Sequence, residues 1–117
     1  MAAPNLLTSV TVTGKVAVAN VTTSNTAFLT NSSSSGKLYK VNLLLVSNVN
    51  GTNSGDISID LYRSSAPYYI AKTISVPADA TLDLLSKSLY LEEGDVLKAQ
   101  ASANSTLNIV CSYEEIS

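Results

Sequence analysis

The side chains in this sequence that could do chemistry fall into a few small groups, and none includes a histidine, because the chain has none. Glu92, Glu93 and Asp95 crowd one turn, and Asp56 and Asp60 have the same parity along one strand. Paired carboxylates can bind calcium or divide acid and base work between them. Neither group has the dense oxygen spacing of a calcium loop, so a charged turn and a solvated strand face are expected. Tyr62, Arg63, Tyr68 and Tyr69 gather around a second turn. An exposed Tyr/Arg cluster has the composition of a binding hot spot for protein or glycan, and tyrosines beside a turn are also ordinary packing. These four residues are the candidate interaction patch. The abundant Ser and Thr hydroxyls lack an imidazole to activate them. Ser86-Lys87 could pair a nucleophile with a base on paper, but reads as a charged turn. No catalytic residue is assigned, and the chain is not expected to be an enzyme.

Metal and cofactor chemistry meets the same shortage. With no histidine and a single cysteine, Cys111, a zinc, copper or haem site has almost no ligands, so no metal and no cofactor is expected. Cys111 falls in the buried register of a strand and reads as a packed thiol. The formal net charge is −2, and the seven basic residues are scattered singly. A nucleic-acid surface would need them clustered, so no nucleic-acid partner is expected. Met1 to Leu7 has neither a basic n-region nor an apolar h-region, so no signal peptide is expected. The longest aliphatic run, Leu43 to Val46, is too short to span a bilayer. A soluble product with no membrane partner is expected, made in a cytoplasm.

The elements that must position these groups are strands. The 117 residues suit one domain with one core: an N-terminal arm over residues 1–7, with Pro4 discouraging regular structure, and a single β-sandwich over 8–117. Val10 to Thr13 alternates as a first strand, Gly14-Lys15 reads as its turn, and Val16 to Val21 as the next strand. Thr26 to Thr30 follows, then a polar Asn31 to Gly36 loop expected to be exposed and mobile. Leu38 to Ser47 is the most apolar strand and the expected centre of a sheet. Asn48 to Gly55 is a long loop. Ile57, Ile59 and Leu61 point inward along the next strand; Tyr68 to Val76, Thr81 to Leu85 and Leu89 to Leu91 complete the middle. In Glu92 to Asp95, Gly94 supplies the permissive backbone of a tight turn. Leu97 to Ala103 and Leu107 to Tyr113 alternate with period two and read as a C-terminal hairpin.

Eight or nine short strands separated by turn residues, with no sustained helical period, predict an all-β antiparallel sandwich of about eight strands, jelly-roll or immunoglobulin-like. The expected core is Val41, Leu43, Leu45, Ile57, Ile59, Leu61, Ile70, Ile74, Leu107, Ile109 and Cys111. Mean hydropathy is mildly positive with few charges, which predicts apolar surface that meets other subunits, as a trimer or a ring.

Several stretches together resemble one family. Leu38-Tyr39-Lys40-Val41 leading to Ser47-Asn48, the alternating Ile57 to Tyr62, the turn Val76-Pro77-Ala78, Leu91 to Leu97 and Ser112-Tyr113-Glu114-Glu115-Ile116 are similar to small virion structural proteins of tailed bacteriophages, especially cyanobacterial and other marine phages. The similarity covers roughly residues 37–117. It implies a non-enzymatic component of the virion, made in the host cytoplasm, with the major capsid protein or other virion proteins as partners. Capsid decoration or cementing is the first expectation. A neck or tail component and a carbohydrate-binding fibre-type sandwich are the alternatives. On this reading the Asn31 to Gly36 and Asn48 to Gly55 loops form a solvent-facing end.

Overall fold

The computed structural model describes residues 11–103 and 106–117. The expected arm over residues 1–7, the start of the first strand and the tip of the turn at 104–105 lie outside them. The described residues form nine strands: β1 Val12–Asn20, β2 Thr26–Thr30, β3 Leu38–Asn48, β4 Gly55–Arg63, β5 Ala66–Val76, β6 Thr81–Asp83, β7 Leu89–Leu91, β8 Val96–Ala101 and β9 Leu107–Ile116. One sheet has the order β1-β9-β3-β6, with β7 also on β3; the other has the order β2-β8-β4-β5. Every pairing is antiparallel. The two sheets close on one core, with Val41, Leu44, Val46, Leu107, Ile109 and Cys111 facing Leu29, Ile57, Ile59, Val76 and Leu97. The protein is an antiparallel β-sandwich. Among the described residues no helix is long and apolar enough to cross a membrane.

β3 is central, as its run of aliphatic residues predicts: β9 lies along one side, and β7 and β6 share the other. Its inward face differs from the expected one. Between Val41 and Leu43 the register against β9 shifts by one residue. Such a bulge inserts one unpaired residue, here Asn42, and flips every side chain beyond it. Leu44 and Val46 are therefore fully buried, whereas Leu43 and Leu45 are only half-buried. Two register shifts do the same along β5 against β4. Ala71 and Val76 enter the core, Ile70 is half-buried, and Ile74 is exposed. Leu61 is half-buried near the end of β4.

Two turns differ from expectation. Gly14 is no turn: β1 runs straight through it in unbroken register with β9, from Val12 opposite Ile116 to Asn20 opposite Asn108. β8 and β9 are not a hairpin, because β8 joins the β2-β4 sheet and β9 the β1-β3 sheet. Their connection crosses from one layer to the other.

Two buried asparagines fasten the loops at opposite ends of β3. Asn31 donates from Nδ2 to the carbonyls of Lys37 (2.9 Å) and Leu91 (3.0 Å) and accepts from Ser35 Oγ at 2.6 Å. Asn48 donates to the carbonyls of Asn53 (3.0 Å) and Val76 (2.9 Å) and accepts from the Asn50 N–H at 2.9 Å. Amide side chains buried with both donors and the acceptor satisfied hold a loop firmly. The two polar loops therefore do not share one end of the sandwich, and the first is anchored at its base.

Candidate functional site

Arg63 ends β4 and leads into a two-residue hairpin. Ser64 and Ser65 have φ of 52° and 62°, and Arg63 pairs with Ala66 across them. Positive φ at both central residues is the type I′ pattern, whose twist matches that of the flanking strands. The turn aims the guanidinium at the Glu92–Asp95 turn. That turn is closed by the Asp95 N–H donating to the Glu92 carbonyl at 3.0 Å, with Gly94 at φ +88°. Asp95 is 2% exposed. Its carboxylate accepts Arg63 Nε at 2.8 Å and Nη2 at 2.5 Å, and the Glu92 N–H at 2.8 Å. Arg63 Nη2 also reaches Glu92 Oε2 at 2.9 Å. Forked guanidinium–carboxylate pairs are the strong, geometrically demanding kind. The hydrogen bonds that Arg63 donates to Asp95 raise the Arg63 pKa above its ordinary value, against the opposing effect of burial.

The four residues of the expected interaction patch do not share one face of the sheet. Arg63 commits its fork to Asp95 and Glu92, although its side chain remains 42% exposed. Tyr62 lies on the outer parity of β4 beneath Lys98, whose Nζ sits 3.7 Å from the ring centroid. Tyr69, opposite Asp60 on the same outer face, carries Lys72 Nζ at 4.2 Å from its ring. Such cation–π contacts add modest attraction and shield the ring face. Tyr68 pairs with Leu61 and so belongs to the opposite parity, yet it is 59% exposed. Of the patch tyrosines, Tyr68 and Tyr69 are exposed and Tyr62 is half-buried.

Two other carboxylates are engaged within the protein by one oxygen each, while Asp60 Oδ2 is buried without a hydrogen-bond partner. Glu93 Oε2 accepts the Gly36 N–H at 3.0 Å, tying the first loop to this turn. Asp60 is buried on the outer side of β4 and accepts Asn25 Nδ2 at 3.1 Å. Asp56 leads β4, and its backbone N–H donates to Ser102 Oγ at 3.0 Å. Among the described residues no three His, Cys, Asp or Glu side chains converge as metal ligands. Cys111 is fully buried in the β9 register, and burial pushes its thiol up to about 11, which suits packing and not nucleophilic attack.

Two features had no local signal in the sequence. Glu115 bridges Lys15 of β1 at 3.1 Å and Lys37, just before β3, at 3.2 Å. It closes one end of the β1-β9-β3 layer beside the rings of Tyr39 and Tyr113, tilted 38° to each other with centroids 5.2 Å apart. The second is an apolar row on the solvent side of the same sheet. Val16 (61% exposed) and Val18 (73%) of β1 stand beside Val110 (37%) of β9, with the half-buried Leu45 of β3 next in the row. The alternation that marked these residues as strand could not say which of the two faces would be left uncovered. No family model, curated protein or solved structure matches the chain.

Proposed function

We propose that this chain is a non-enzymatic structural protein of a tailed-phage virion, acting in several copies, with decoration or cementing of the capsid as its first role. The observation that carries this reading is the Val16–Val18–Val110 row, an apolar strip on the outside of a small rigid sandwich with few charges. A strip of this kind fits a protein that docks on neighbours in a particle. The resemblance of residues 37–117 to small virion proteins points the same way, and the internal use of Arg63, Asp95 and Glu93 supports a structural role over a catalytic one. A cement adds many modest interfaces that favour the assembled shell over its parts, and so stabilises it by linkage. The exposed Tyr68 and Tyr69 favour a second reading, a glycan-binding module of the fibre type.

Protein counting by mass spectrometry on purified particles tests the proposal. Hundreds of copies per particle, with a lower genome-release temperature once the protein is stripped, is the expected result for decoration. A handful of copies would move the role to the neck or tail. Particles without the chain would end the virion reading.

A further inference from the structure

We infer that β1 is an open sheet edge built to pair with β1 of a second copy, antiparallel and centred on Val16, joining two five-stranded sheets into one. The phase of the backbone shows which groups are free. Thr11 and Ser117 exchange both backbone hydrogen bonds, at 3.2 and 3.0 Å. In an antiparallel ladder such pairs alternate with pairs that do not bond. Thr13–Glu115, Lys15–Tyr113, Ala17–Cys111 and Ala19–Ile109 are therefore the bonded pairs with β9, and the Val21 N–H donating to Leu107 continues the phase. Val12, Gly14, Val16, Val18 and Asn20 turn their N–H and C=O groups the other way. Among the described residues no strand pairs with that side.

The other three edges are blunted. β5 carries Pro67, Lys72, two register shifts and a β-branched Thr73 at φ 52°. β2 has five residues and a register shift, and β6 has only three residues. Short strands, bulges, proline and lysine are the ordinary devices that stop edges from pairing. β1 has nine residues, no proline and no register shift, and its one charge, Lys15, is engaged by Glu115. A long regular edge left bare beside three protected ones marks the pairing surface.

The strand's own sequence selects the partner and the register. Only pairings that set an even-numbered residue opposite an even-numbered one bring outward groups together. Placing Val16 opposite Val16 of the second copy pairs all nine residues, with Gly14 opposite Val18, Val12 opposite Asn20, and Lys15 opposite the small Ala17. Shifting the centre to Lys15 sets two like charges face to face, which destabilises a cross-strand pair. Shifting it to Ala17 leaves Val12 unpaired. The chosen register also extends the exposed Val16–Val18 row across both copies. The pairing is isologous, so it uses up this edge in both chains and closes at two.

Purified chain tests this inference, so its outcome stands apart from any particle count. Light scattering is expected to give twice the chain mass for the unaltered protein. Val16→Pro removes only an outward N–H, leaving the β9 ladder intact, and Val16→Lys sets two charges on the dyad. Both are expected to give the single-chain mass with an unchanged β-type circular dichroism spectrum. Val16→Cys is expected to oxidise to a linked dimer faster than Val18→Cys, although Val18 is the more exposed. A single-chain mass for the unaltered protein at the highest concentration reached would overturn the pairing and assign the edge to another partner. Dimers that persist in both Val16 variants, or Val18→Cys linking as fast as Val16→Cys, would overturn it as well.

Discussion

Arg63, the last residue of β4, and Asp95, just ahead of β8, stand one step beyond the Tyr62–Val96 pair and meet through two hydrogen bonds of 2.8 and 2.5 Å, with the carboxylate almost wholly out of solvent. The pair joins the Ser64-Ser65 hairpin to the Glu92–Asp95 turn, and through Gly94 to Asn31, whose carbonyl accepts the Gly94 N–H at 2.7 Å. Polar bonds, from side chains and backbone together, thereby tie three turns at one end of the sandwich.

Removing the guanidinium leaves Asp95 buried without its main partner. Arg63→Ala is expected to cost roughly 1.5–3 kcal/mol, the scale of a lost hydrogen bond to a charged group, read as a lower urea midpoint. Arg63→Lys should recover only part of that loss, since an ammonium cannot fork onto both carboxylate oxygens. Equal stability of the lysine variant and the unaltered protein would show that the fork contributes nothing beyond its charge.

The bulge at Asn42 assigns different costs to two adjacent leucines. Leu44→Ala, at a fully buried site, is expected to lose roughly 2–5 kcal/mol. Leu43→Ala, on the half-covered outer side, should lose about 1 kcal/mol. Chemical denaturation of both variants decides the matter, and a reversed order would place the bulge elsewhere along β3.

Glu115 makes stability depend on acid. Burial acts to raise its pKa, but the hydrogen bonds and charges of Lys15 and Lys37 outweigh burial and hold it below the ordinary value of 4.5. With the folded pKa depressed, the unfolded chain takes up the proton first. The contribution is thus fully present above the unfolded pKa and is lost as pH falls through the folded one. Urea midpoints for the unaltered protein and Glu115→Gln should differ at neutral pH and converge between about pH 5 and pH 3. A constant gap across that range would remove Glu115 from the acid response.

Most strands were legible because their signals are local. Alternation in Ile57–Ile59 and Leu107–Ile109, and Gly94 in the Glu92–Asp95 turn, depend on nearby residues alone. Gly14 misled because glycine is a turn signal by default. Here a Cβ would meet nothing within 4 Å, so an open edge tolerates the glycine within a strand. The inward face of β3 was not legible, since the bulge at Asn42 exists only against β9, and a shift of one residue reverses parity. The layer change between β8 and β9 was hidden for a similar reason, because turn residues mark where a chain bends and not which sheet it enters. Of the candidate site, the tyrosines and charged turns could be found by composition. Arg63 and Asp95 are 32 positions apart, and no pattern within either segment announces their pairing.

The pairing of β1 with β9, which sets Val12 opposite Ile116 and Ala19 opposite Ile109, has a consequence for synthesis. β1 emerges from the ribosome early but has no neighbour in its own sheet until β9 has been made. Throughout that interval a valine-rich segment waits with both edges bare, the state in which nascent chains are most exposed to misassembly. The sheet closes by long-range contacts, which form slowly because the loop must be closed first. Production in the cell should therefore respond to translation speed and chaperone supply more than the small size of the domain suggests.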